Sequence, residues 1–183
     1  MESIHFISVG EFGTGLMNHI RNKFPSISTS MLVEEDFDHF FNTLSVAKIY
    51  TLATATYTSK IYRQLDYQVY RKRACWIPIV YDHPFLRVGP VLTPHIGIDY
   101  SCFEEQLQSN SALSNYRNNV YDYNDQFPFS GPKGYLPPFI GWAGAIFSYV
   151  LHEFGEIERR ESRFYYQLNV TNQYISREVL HPK

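Results

Sequence analysis

Cysteine is nearly absent: Cys75 and Cys102 are the only two in 183 residues. That excludes a disulfide framework and fits a reducing compartment. An excess of one charge is missing too, because sixteen Lys and Arg stand against eighteen Asp and Glu, for a net charge of −2. The largest basic run, Arg71-Lys72-Arg73, falls near the end of an expected helix, where cations complement the helix dipole. It makes no basic stripe, so nucleic acid is not an expected partner. Long hydrophobic runs are lacking as well. The most apolar stretch, "PPFIGWAGAIFSYVL" (137–151), stops at His152-Glu153, short of the roughly 20 apolar residues a membrane span needs. The opening "MESIHFISVG" lacks the basic-then-apolar layout of a signal peptide. A cytoplasmic protein with no membrane partner is the expectation. Catalytic signatures are missing in turn: the chain has no GxxxxGK[ST], HExxH or GxSxG. Its seven histidines (5, 19, 39, 83, 95, 152 and 181) are scattered. No nucleophile and base pair up by spacing, and no catalytic residue is assigned.

Aromatic residues, by contrast, are plentiful at 17%, with 15 Tyr and 14 Phe. Tyrosine-rich surfaces suit protein contacts, since the ring supplies area while the hydroxyl stays wet; a codon bias toward these residues is the other reading. Along the chain, "IHFISVG" (4–10) reads as a buried strand and "EFGTGLMNHIRNKF" (11–24) as a helix with Leu16, Ile20 and Phe24 spaced by four. "STSMLV" (28–33), "AKIYTLAT" (47–54) and "CWIPIVYD" (75–82) read as strands, with a short helix at 34–44 and a long one at 58–73 between them. Such alternation gives a parallel sheet covered on both faces. Beyond it, "FLRVGPVLTP" (85–94) reads as two short strands hinged at Gly89-Pro90, and 101–109 as a short helix. Residues 110–134 carry no periodicity and read as a long irregular loop inside a single domain, 1–183. A helix follows at 137–154, then a hairpin around Asn172-Gln173.

The turn Gly10-Glu11-Phe12-Gly13-Thr14-Gly15 sits where a strand enters a helix, the place at which a backbone can approach a pyrophosphate. It fits GxGxxG in neither register. Phe12 is expected to crowd a phosphate and Glu11 to repel it, while Glu34 or Glu35 stands at the distance of a ribose-binding acid. Gly10, Gly13 and Gly15 are read as a vestigial, structural turn, and no cofactor is assigned. The carboxylate-histidine groups "EEDFDH" (34–39) and "DHP" (82–84), like "ERRESR" (158–163), are read as solvated element ends. Cys75 is read as a core thiol.

Two longer stretches carry a resemblance. "WIPIVYDHPFLRVGPVLTPHIGIDYSCFEEQ" (76–106) has a strand, a hairpin, a GPxxxP turn and a CxxC-like helix start, with Asp99 and Cys102 in the frame. "GYLPPFIGWAGAIFSYVLHEF" leads to a hairpin ending "REVLHP". With the weak glycine turn, these make the chain resemble the E1-like (ThiF-like) partner proteins of YcaO cyclodehydratases, which take part in thiazole- and oxazole-modified peptide (bacteriocin and thiopeptide) biosynthesis. The resemblance spans nearly the whole chain and implies an α/β fold: a three-layer, Rossmann-like E1/ThiF-type domain with a mostly parallel sheet, a C-terminal helix and a β-hairpin. It also implies that Asp99 and Cys102 are the remains of a zinc site, since such proteins often hold zinc on two cysteine pairs. Asp99 replaces the first cysteine here, the sequence stops at Lys183 where the second pair belongs, and His95 or His181 would complete only a poor set. No metal is expected. The segment after the second strand, "EEDFDHFFNTL" (34–44), supplies no basic residue to hold triphosphate charge, so the implied function is that of a non-catalytic scaffold. Such a scaffold binds or presents the leader of a ribosomal precursor peptide to a YcaO-type cyclodehydratase, and a homodimer is a possible assembly. The usual leader-binding module would precede the first strand, which starts near residue 4. No peptide-binding residue is assigned; the loop 110–134 or an exposed strand edge is the expected contact. An ATP-dependent E1-like adenylating enzyme and a Rossmann-like small-molecule binding protein are the alternatives.

Overall fold

The computed structural model describes residues 3–94, 99–109, 114–130, 133–159 and 164–180. β1 (Ile4–Ser8), α1 (Gly10–Lys23), β2 (Ser28–Met31), a helical turn ending in α2 (Phe37–Phe40), β3 (Ile49–Thr54), α3 (Ser59–Arg71) and β4 (Cys75–Asp82) follow in order. Then come β5 (Phe85–Val88), α4 (Tyr100–Ser109), α5 (Ser114–Gln126), α6 (Pro137–His152), α7 (Phe154–Arg159), β6 (Phe164–Asn169) and β7 (Tyr174–Val179). One seven-stranded sheet runs β2-β1-β3-β4-β5-β6-β7. Its first four strands are parallel and the rest antiparallel. This is an α/β, Rossmann-like architecture closed by a C-terminal hairpin.

Strand periodicity divides the core. Ile4 and Phe6 of β1, with Cys75, Ile77 and Ile79 of β4, face one layer, where Phe12, Leu16 and Ile20 of α1 meet Phe139, Ala143 and Phe147 of α6. Ile7 and Val9, with Trp76 and Val80, face the other, against Ile61, Leu65 and Val69 of α3 and Tyr100 and Phe103 of α4. Much of the aromatic content lies inside that second layer: Tyr57, Tyr62 and Tyr100 are buried, with rings stacked at 5.3 Å (Tyr57–Tyr62) and 4.6 Å (Tyr62–Tyr100).

Three expectations change. The region 110–134 is not one irregular loop, because α5 forms within it and seats Tyr121 against Tyr57 at 4.2 Å between rings. The expected strand after Gly89-Pro90 reduces to one bridge, Trp76 to Leu92. The helix expected at 137–154 breaks at Glu153, whose N–H closes on Tyr149 at 3.0 Å, and Phe154 and Ile157 start a new turn into the core. Among the described residues no helix is long and apolar enough to cross a membrane.

Candidate functional site

The chain leaves β1 through α1 to β2 on one side, and β3 through α3 to β4 on the other. Because α1 and α3 cover opposite faces, the carboxyl ends of β1 and β3 flank a topological switch point, the crevice in which open α/β sheets bind ligands. A cleft of about 890 Å³ opens there. Its floor is the end of β1 and the first turn of α1; Leu32–Glu34 and Thr54–Thr56 form its sides, and Phe129, Lys133 and Tyr135 of the α5–α6 connection form its outer wall.

Gly10 has φ +66° and open space where a Cβ would point, so its role is the left-handed backbone that starts α1. Gly13 lies flush on β3, and a Cβ there would overlap the carbonyl oxygen of Ala53, which also accepts the Val9 N–H at 2.9 Å. Gly15 lies under the Tyr135 hydroxyl, where a Cβ would overlap the ring and its oxygen. Two of the three therefore admit this protein's own atoms. The expectation that Phe12 crowds the cleft is corrected: its side chain is 1% exposed and packs on Tyr81 and Tyr135 at 5.5 and 6.3 Å between rings. The cause is helix phase, since Phe12, Leu16 and Ile20 share the inward stripe while Glu11, Gly15 and Asn18 share the stripe on the cleft.

In charge the cleft is mildly acidic. Glu11 and Glu34 line it against Lys133. The first N–H groups of a helix have no intrahelical partner, and at α1 the N-cap Val9 supplies no side-chain cap to them. Of the two acids that the sequence left open, Glu34 reaches the cleft and Glu35 does not line it.

Asp99 and Cys102 are together, in a different relation from that of metal ligands. Asp99 Oδ1 accepts the Cys102 backbone N–H at 2.8 Å, which makes Asp99 the N-cap of α4. Burial and the adjacent Asp99 carboxylate push the Cys102 thiol up. Among the described residues no three His, Cys, Asp or Glu side chains form a group able to hold a metal; His95 and His181 lie outside the described residues. Cys75 is buried as expected, and its Sγ lies 3.9 Å from Glu158 Oε1. Asp82, read as a solvated end, instead takes Arg87 Nη1 at 3.3 Å and the Tyr121 hydroxyl at 3.1 Å. Arg87 Nε donates to Gln167 at 2.9 Å, tying β4, β5, β6 and α5 together.

No sequence family matches the chain, and no curated protein matches it. Solved structures do. A heterocyclase in complex with substrate and cofactor aligns with a TM-score of 0.64 at 14% identity, over 98% of this chain and 24% of that chain. A chain of the E. coli microcin synthetase McbBCD complex aligns with a TM-score of 0.63 at 16% identity, over 99% of this chain and 66% of that one. E. coli MccB with MccA gives 0.63 at 12% identity, over 100% and 64%. The chain thus spans about a quarter of the heterocyclase and under two thirds of the two E. coli chains. At these identities the likeness defines the class of fold, one shared with heterocyclase and microcin-synthetase proteins.

Proposed function

We propose that this chain is a non-catalytic scaffold that binds or presents a ribosomal precursor peptide, through its leader, to a YcaO-type cyclodehydratase for azoline and azole formation. The observation that carries the reading is the cleft at the switch point. Triphosphate chemistry needs cationic groups positioned on developing charge, and this cleft sets two carboxylates against one lysine. Two of its three turn glycines, Gly13 and Gly15, lie against Ala53 and Tyr135. The fold shared with heterocyclases and a microcin synthetase supports the pathway assignment. Recognition has a surface to use: β7 is one of the two edge strands, with Tyr174 66% and Val179 60% exposed, and an extended peptide adds to such an edge through main-chain hydrogen bonds.

One observation favours the second reading, an ATP-dependent adenylating enzyme. Glu34 opens the helical turn that follows β2 and lines the same cleft as the uncapped start of α1, where a ribose-binding acid belongs. Calorimetric titration with magnesium ATP, and separately with the leader peptide, divides the two. Leader binding without nucleotide binding is the expected result; ATP binding weakened by Glu34→Ala would sink the scaffold reading.

A further inference from the structure

A second, smaller cavity of about 190 Å³ lies away from the cleft, between α3, β4 and the start of α4. Asp66 and Asp99 both line it, with Thr93 between them in the chain and Trp76 and Tyr70 as aromatic walls. Two carboxylates alone would make only a solvated acidic patch. Here there is more. Thr93 is 8% exposed and its buried Oγ1 has no hydrogen-bond partner among the described residues, although buried hydroxyls are nearly always paired. Asp66 is held in place by the Trp76 indole N–H, which donates to Oδ1 at 2.8 Å, and more loosely by the Tyr100 N–H at 3.5 Å. Asp99 accepts the Cys102 backbone N–H on Oδ1 and its carboxylate also takes the Cys102 thiol; with about four lone-pair positions on its two oxygens, a carboxylate keeps acceptor capacity beyond these two bonds. Neither carboxylate forms an ion pair among the described residues.

The geometry points to a binding site for a primary ammonium group in this cavity, supplied by a lysine side chain or by the amino terminus of a peptide. An ammonium brings three donors and no acceptor, which matches Asp66, Asp99 and the unpaired Thr93 oxygen. The Trp76 and Tyr70 rings favour an organic cation over a bare ion, and the volume suits a few heavy atoms rather than a nucleotide. Burial raises the Asp66 carboxyl, with the nearby Asp99 charge adding to it; a cation between the two offsets the repulsion and favours the charged carboxylate. The site is independent of the cleft, so it stands or falls apart from the scaffold reading.

The test follows the Trp76 indole N–H resonance by heteronuclear NMR as three small probes are titrated into the intact protein. N-acetyl-lysinamide offers only a side-chain ammonium, alaninamide only an α-ammonium, and N-acetyl-alaninamide neither. A saturable shift of the Trp76 signal with either amine supports the site, and the tighter of the two names the source. Asp99→Asn keeps the helix cap, because Asn caps as well as Asp, yet should weaken Kd about tenfold by removing one charge-assisted contact. Thr93→Val, which preserves shape, should also weaken it. No shift with either amine, an equal shift with N-acetyl-alaninamide, or an unchanged Kd in both variants with native melting temperatures would overturn the proposal.

Discussion

Replacing Gly13 with alanine tests whether the glycine turn serves the fold or a ligand. In a helix interior Gly→Ala is ordinarily stabilising by about 1 kcal/mol. At Gly13 the new methyl would strike the Ala53 carbonyl oxygen and crowd the Ser8 backbone. Both are main chain in the central strands β1 and β3, so neither moves without disturbing the ladder. Overpacking costs up to about 3 kcal/mol, and the upper end applies where the obstacle is main chain; less the helix gain, the balance is a net loss of about 2 kcal/mol. At Gly15 the obstacle is the far end of the Tyr135 side chain, which can swing away. Gly15→Ala should therefore be near neutral in the wild type. In a Tyr135→Ala background it should be stabilising by about 1 kcal/mol, the bare helix gain. Urea denaturation of the four proteins closes a double-mutant cycle, with Gly13→Ala measured alongside and read also as a fall in melting temperature of about 2–4 °C per kcal/mol. A Gly13→Ala protein as stable as wild type, or a Gly15→Ala effect that ignores Tyr135, would refute the packing role and return the turn to ligand binding.

Other outcomes follow from single contacts. Arg87→Met leaves Asp82 and Gln167 without their buried donor and should cost about 2–4 kcal/mol, measured by the same denaturation. The Asp66 carboxyl is raised above its ordinary 3.8 by burial, so the folded state holds that proton more tightly than the unfolded chain. Its contribution is largest at low pH and is lost as pH climbs from about 3.8 through the elevated folded value. The stability difference between wild type and Asp66→Asn should therefore shift against wild type over that window; a constant difference would contradict it. Cys102, its thiol raised by burial and Asp99, should react with iodoacetamide at pH 7 more slowly than a free thiol, and faster in Asp99→Asn.

The order of strands and helices up to Asp82 was legible because each element carries its own period: Phe12, Leu16 and Ile20 at helical spacing, and Cys75, Ile77 and Ile79 alternating with Trp76 and Val80. What failed was local. α5, "SNYRNNVYDYNDQ", is mostly polar and carries no apolar stripe in its sequence; its helix is fixed by the buried Tyr121 against Tyr57 and Asp82 and by the Asn124 contact to the Tyr57 carbonyl at 2.9 Å. Because that segment read as loop, the cleft wall at Phe129, Lys133 and Tyr135 was invisible. The glycine turn was visible but its partners were not, because nothing in "GEFGTG" tells whether the space over Gly13 and Gly15 holds phosphate, Ala53 or Tyr135. Phe12 was misplaced by assuming that a bulky side chain in a binding turn points at the ligand; one step of 100° carries it into the core.

The most direct measurement is azoline formation on a precursor peptide by a YcaO-type cyclodehydratase with and without this chain, read by mass spectrometry as loss of water per ring. The scaffold reading predicts faster modification when the chain is present, an effect that survives Glu34→Ala and Lys133→Ala in the cleft. Loss of the effect in both cleft variants, together with ATP cleavage by the chain alone, would contradict it.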